Sequence, residues 1–154
     1  MTDDALEVLR EASAAEIAFL EDRLYEVNAE RTGFHDGAGL AIFVRDAAGA
    51  IRAGLAGHTW GGCCEIRQVW VHESLRGRGL GRRLLEAAEA EARRRGCAQI
   101  VLSTHSFQAP GLYRKLGFAQ VCALEDYPRG HAQLFFCKRL AEGDAATGGR
   151  KLAW

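Results

Sequence analysis

What the sequence lacks narrows its function before any motif is read. Net charge is missing: 20 basic and 20 acidic residues cancel at neutral pH. A general affinity for DNA, RNA or anionic membranes is therefore not expected. No apolar run approaches the length of a membrane span. The first residues after Met1 are acidic and helix-like, not a basic stretch leading into an apolar one, so no secretory leader is read there. Paired cysteine spacing is missing as well. Cys63 and Cys64 are adjacent, and Cys97, Cys122 and Cys137 stand alone. No zinc set or other metal site follows from that pattern. An odd number of cysteines in apolar strand contexts suits reduced, buried thiols. A soluble, cytoplasmic protein without a metal is the expectation.

What is present suits one globular domain. The 154 residues are 48% hydrophobic and 26% charged, enough for a sizeable core. Ile17, Leu20, Leu24 and Val27 recur at helical spacing within about 12–28, with Ser13 as the N-cap and Glu16 three residues on. Residues 33–39 read as a loop. Strands follow at 40–45, 51–60 and 63–71, joined by tight turns at 46–49 and at Gly61-Gly62. A helix over 80–95 carries Leu80, Leu84, Leu85, Ala88 and Ala92 on one side and ends at Gly96. Residues 99–103 form the next strand, parallel to the one before the helix. A short helix near 109–116 and strands near 119–124 and 132–138 complete the domain, 1–140; residues 141–154 read as a flexible tail. The fold class is α/β: a mixed, mostly antiparallel sheet with helices on both faces.

The most specific local signal is Arg76-Gly77-Arg78-Gly79-Leu80-Gly81, set between the strand ending at Val71 and the 80–95 helix. Backbone N–H groups of such a turn and of a helix's first turn converge where the helix dipole favours negative charge. Arg76, Arg78, Arg82 and Arg83 crowd the same place and suit phosphate oxygens. The usual nucleotide-binding loop is excluded, because neither Lys nor Ser/Thr follows the last glycine. A dinucleotide fold is excluded by roughly two strands and a helix coming first, and by the lack of an acidic residue near 100–102.

The run from Val69 to Gly81 resembles the acyl-CoA motif of the GNAT N-acetyltransferase superfamily: a hydrophobic strand, then Gln/Arg-x-x-Gly-x-Gly/Ala, met here by Arg76, Gly79 and Gly81. The block Ser106 to Phe118 is similar to the family's later motif, with Ala109, Tyr113, Gly117 and Phe118 in place. Compatible segments cover about 10–140. The resemblance implies acetyl-CoA as acyl donor and direct transfer to a primary amine of a small molecule. Rivals are a protein lysine or N-terminal acetyltransferase, a CoA-binding module without turnover, and nucleotide binding by the turn.

Acetyl transfer needs a held thioester, a deprotonated amine and a stabilised thiolate. The resemblance implies that backbone groups of Val69, Trp70 and Val71 hold the pantetheine arm, with Arg76, Gly77, Arg78, Gly79, Gly81 and Arg82 at the diphosphate. It also implies Tyr113 as the acid that protonates the thiolate, since a phenol keeps its proton at neutral pH. Glu65 stands where several members carry a carboxylate base, with His72, His105 and His131 as rivals. Ser106 replaces the family's usual Asn, and Gln108 offers a substitute contact. Glu125, Asp126, His131 and Trp60 are candidates for the acceptor pocket, with Phe34 as a further aromatic wall. The family and the apolar final strands are compatible with a homodimer.

Overall fold

Ser13 and Glu16 close a reciprocal cap at the head of the first helix, α1 (Ala14–Thr32): Glu16 N–H donates to Ser13 Oγ at 3.2 Å, and Ser13 N–H donates to Glu16 Oε2 at 2.7 Å. Gly33 ends it at a left-handed φ of 76°, its N–H donating to Ala29 O. The helix runs four residues past the expected Asn28. The real stop is the glycine, not the end of the apolar spacing. The computed structural model describes residues 5–140, so the expected tail at 141–154 lies outside the described residues. The chain divides into two units at His35/Asp36, and α1 belongs to the first.

The second unit is built on one six-stranded sheet in the order β1-β2-β3-β4-β6-β5. The strands are β1 (Ala38–Arg45), β2 (Ile51–Trp60), β3 (Cys63–Val71), β4 (Gln99–His105), β5 (Ala119–Glu125) and β6 (Ala132–Arg139). Every neighbour pair is antiparallel except β3 with β4, which run parallel as their helical connection requires. That connection is α2 (Leu80–Arg94), preceded by a single 3-10 turn at Glu73–Leu75; α3 (Pro110–Lys115) follows β4. β2 and β3 begin and end where the sequence predicts. β1 begins two residues early because Ala38 pairs with Thr59, and β4 extends to His105 because Thr104 and His105 pair with Leu134 and Gln133.

Alternation along the strands places Leu55, Cys64, Ile66, Ile100, Leu102, Leu134 and Phe136 on one face, packed with Leu84, Leu85, Ala88 and Ala92 of α2. Leu55, Ile100 and Phe136 are almost wholly enclosed, and each such side chain contributes about 1.5–3 kcal/mol. Cys64 lies in the same core, where burial pushes its thiol pKa up to about 11, so it remains a packed, protonated group. α2 and α3 touch: a Cβ built on Gly81 would stand 3.3 Å from Leu112 Cδ2.

One irregularity shapes everything that follows. Ala56 pairs with Gln68 but Gly57 pairs with Ile66, so Arg67 is an extra residue in β3. Such a bulge shifts the side-chain alternation by one. Cys64 and Ile66 face the core before it; Val69 and Val71 pack against the core after it. The bulge needs a glycine opposite. A Cβ on Gly57 would lie 2.0 Å from Glu65 O, which no side chain can occupy.

Candidate active site

Parallel pairing of β3 with β4 stops at Ile66↔Leu102. Beyond that rung the strands part, and a cleft of about 960 Å3 opens between them. Gln68, Val69, Trp70 and Val71 form one wall; Ser103 and Thr104 form the other; Phe107, Gln108, Leu112 and Tyr113 close it from the segment after β4. Separated strands leave main-chain N–H and C=O groups facing the gap, available to an extended amide-bearing ligand.

The glycine turn stands at one end of this cleft: Arg76, Gly77, Gly79, Gly81 and Arg82 line it. Gly77 and Gly79 take left-handed φ values of 72° and 74°, a conformation that favours glycine. Gly79 caps α2 without a side chain, and the first helical bond runs from Arg83 N–H to Gly79 O. The N–H groups of Leu80, Gly81 and Arg82 thus have no intrahelical acceptor. The predicted arginines divide into two kinds. Arg76 Nε donates to Val71 O at 3.0 Å and ties the turn to the strand; Arg82 Nε donates to Glu86 Oε1 at 2.7 Å, along the outside of the helix. Arg78 is not among the lining residues. The cradle is made mainly of backbone, with no Cβ over Gly77 or Gly79 to block a diphosphate, and it fits the phosphate end of a CoA-type ligand.

Tyr113 lies in the wall from the core side, 8% exposed, with ring contacts to Phe118 and Phe136. Burial raises its phenol pKa above the ordinary value of 10, so the hydroxyl keeps its proton throughout the neutral range. Glu65 occupies the other face of the sheet. Its carboxylate is 3.5 Å from His58 Nε2 and 3.7 Å from Arg67 Nε, and it does not line the cleft. Ser103 shares that face through a 3.1 Å bond from Gln133 Nε2.

Other predicted residues fall at varying distances from the gap. Gln108 lines it, but its Oε1 accepts from Thr104 Oγ1 and His105 N–H, both at 2.8 Å. Ser106 does not: its N–H donates to Ala132 O and its Oγ accepts from Ala132 N–H, which ties β4 to β6. His72 Nδ1 accepts from Ser74 N–H at 3.2 Å and buttresses the 3-10 turn with Arg52. Trp60 pairs with Cys63 at the hairpin end of β3, the end opposite the glycine turn. Glu125 is the last residue of β5, and Asp126 Oδ1 accepts from Gly130 N–H to close the turn into β6. His131 reaches the cleft indirectly, through ring contact with Phe107.

Ser103, Thr104, Phe107 and Leu112 also belong to the lining, although no motif marks them as site residues. The signal that reaches Ser103 and Thr104 is the parallel partnership of β3 and β4; where that partnership ends is a matter of pairing register, which the sequence does not print. Among the described residues no group of three or more His, Cys, Asp or Glu side chains is arranged to hold a metal ion. No described helix is long and apolar enough to cross a membrane.

The Acetyltransferase (GNAT) family model matches residues 5–118, and the chain belongs to that family. It is an N-acetyltransferase by this membership, the sheet and the relatives. Acetyltransferase Atu2258 of Agrobacterium fabrum (strain C58 / ATCC 33970) is 32% identical over 120 residues, 78% of this chain and 88% of its own. Blasticidin-S acetyltransferase of Streptomyces morookaense is 38% identical over 93 residues, 60% of this chain and 68% of its own. The crystal structure of an acetyltransferase from Bacillus cereus ATCC 14579 superposes with a TM-score of 0.71 at 31% identity, covering 87% of this chain and 98% of that one.

Proposed function

We propose that this enzyme moves an acetyl group from acetyl-CoA to a primary amine of a small molecule by direct attack, both substrates being held at once. The observation that carries the reading is the coincidence of three features in one gap: parted strands, a bare helix N-terminus, and a buried phenol. The glycine turn and the first-turn N–H groups of α2 hold the diphosphate. Val69, Trp70 and Val71 offer backbone groups to the pantetheine amides, and an N–H of this wall polarises the thioester carbonyl. Acetyl-CoA supplies the activated acyl group. Tyr113, protonated and enclosed, gives its proton to the departing thiolate from the core side of the sheet. Glu65, on the other face and steadied by His58 and Arg67, takes the proton from the incoming ammonium directly or through water. An acid and a base on opposite faces of one sheet suit a ternary complex in which the amine enters from the Glu65 side. A small-molecule acceptor is favoured over a protein lysine or N-terminus by the relative named for blasticidin-S.

Tyr113→Phe keeps the ring and removes only the hydroxyl. Turnover with acetyl-CoA and an amine panel, followed by thiol release, should fall about a hundredfold in kcat, with the KM for acetyl-CoA little changed. Because burial raises the phenol's pKa, the wild-type rate should hold through neutral pH and drop only as pH climbs past the ordinary tyrosine range. Unchanged turnover in the variant would remove Tyr113 from the mechanism. Absence of any heat on titration with acetyl-CoA would remove the enzyme reading altogether.

A further inference from the structure

We propose that the rings of His105, Phe107, Tyr127 and His131 form the acceptor subsite, and that the amine substrate carries a planar aromatic or heteroaromatic ring held there. This rests on the N-acetyltransferase reading above and narrows its substrate class. His105 and Phe107 stack with centroids 5.3 Å apart and planes within 4°. His131 meets Phe107 edge-on at 5.0 Å, and Tyr127 meets His105 edge-on at 5.4 Å. The four come from the end of β4, the segment after it and the β5–β6 turn. His105 Nδ1–H donates to Tyr127 O at 3.0 Å and pins the turn to the strand.

The cluster is assembled but not enclosed. Phe107 and Tyr127 remain 55% and 52% exposed, although rings of this size gain most from being covered. A prearranged, open set of rings suits a flat ligand that completes the stacking. Phe107 also lines the cleft beside Ser103, so a ring held there keeps an attached amine within the transfer gap. His105 lies on the sheet face of Glu65, since Glu65 pairs with Val101 and alternation carries that face on to Ser103 and His105.

The test is calorimetry of two matched amines onto protein saturated with CoA, so that no turnover is required. 2-Phenylethylamine carries a flat ring; 2-cyclohexylethylamine has the same carbon skeleton but a puckered one. The flat amine should bind about threefold to tenfold more tightly, and Phe107→Leu should erase that preference. Tyr127→Leu, at a half-exposed turn position, should reduce it. Equal binding of the two amines, no measurable binding of either, or a preference that survives both substitutions overturns the subsite. A protein that binds CoA and fails these tests keeps the enzyme reading and loses the ring; a protein that binds no CoA loses both.

Discussion

At its C-terminal end α2 is closed by Gly96, at φ 77°, and by Arg95, whose Nη1 donates to Gly39 O at 2.9 Å and Thr59 Oγ1 at 3.1 Å. At its N-terminal end the same helix has a glycine cap with no side-chain bond, three N–H groups without intrahelical acceptors, and Arg82 and Arg83 in the first turn. Cations suit the first end and oppose the dipole at the second. One end is finished by the protein alone; the other leaves its first-turn donors without a side-chain cap. The contrast teaches that the two ends of one helix are closed by different means, and the uncapped one is where the proposed function places the diphosphate.

The largest test of this contrast adds an anionic ligand. CoA at about a hundred times its dissociation constant should stabilise the protein by about 2.7 kcal/mol. A scanning melt should then rise by about 5–10 °C; no rise would mean that the N-terminal end was complete already. Next in size, Gly79→Val forces a branched side chain into the left-handed region. It should cost about tenfold or more in CoA affinity by calorimetry, and an unchanged affinity would take the turn out of the cradle. Gly96→Ala disturbs the other end in a similar way. It should cost about 1 kcal/mol of stability, or about 2–4 °C in the melt, without altering CoA affinity. The smallest effect concerns Glu91. Hydrogen bonds from Arg94 and Arg95 hold its carboxyl at about 2, below the ordinary 4.5. A depressed carboxyl contributes stability above the ordinary value and loses it as pH falls towards the lowered one. Glu91→Gln should therefore flatten the acid limb of a melting series between those values and leave neutral-pH CoA binding intact.

The same contrast marks what could be read from the sequence. The glycine turn is local: the six residues from Arg76 to Gly81 lie between a strand and a helix, so the left-handed turn at Gly77 and Gly79 is legible. Tyr113 was legible through its spacing to Gly117 and Phe118. The acceptor side depends on register across the sheet. Ser106, set by motif beside the cofactor, bonds instead to Ala132, 26 residues away, and nothing near Ser106 forecasts that partner. Trp60 reads as a pocket aromatic by type, yet the turn at Gly61-Gly62 carries it to the far end of β3. Phe107 lies inside the second motif block, but its ring partner His131 meets it only after β4, β5 and β6 have paired. The glycine partner of the bulge was illegible for a similar reason: Gly57 has no motif, and its necessity comes from Glu65 O on the neighbouring strand.

Arg67 carries a consequence larger than its own side chain. Were that position paired in ordinary step instead of standing extra, β3 would carry the alternation set by Cys64 and Ile66 through to its end. Trp70 would then turn inward upon α2, while Val69 and Val71 would swing outward to water. Parallel pairing with β4 stops at Ile66↔Leu102, the rung just before the extra residue. A one-residue stutter, kept in place by a glycine opposite, decides which side chains of β3 meet the core and which meet water.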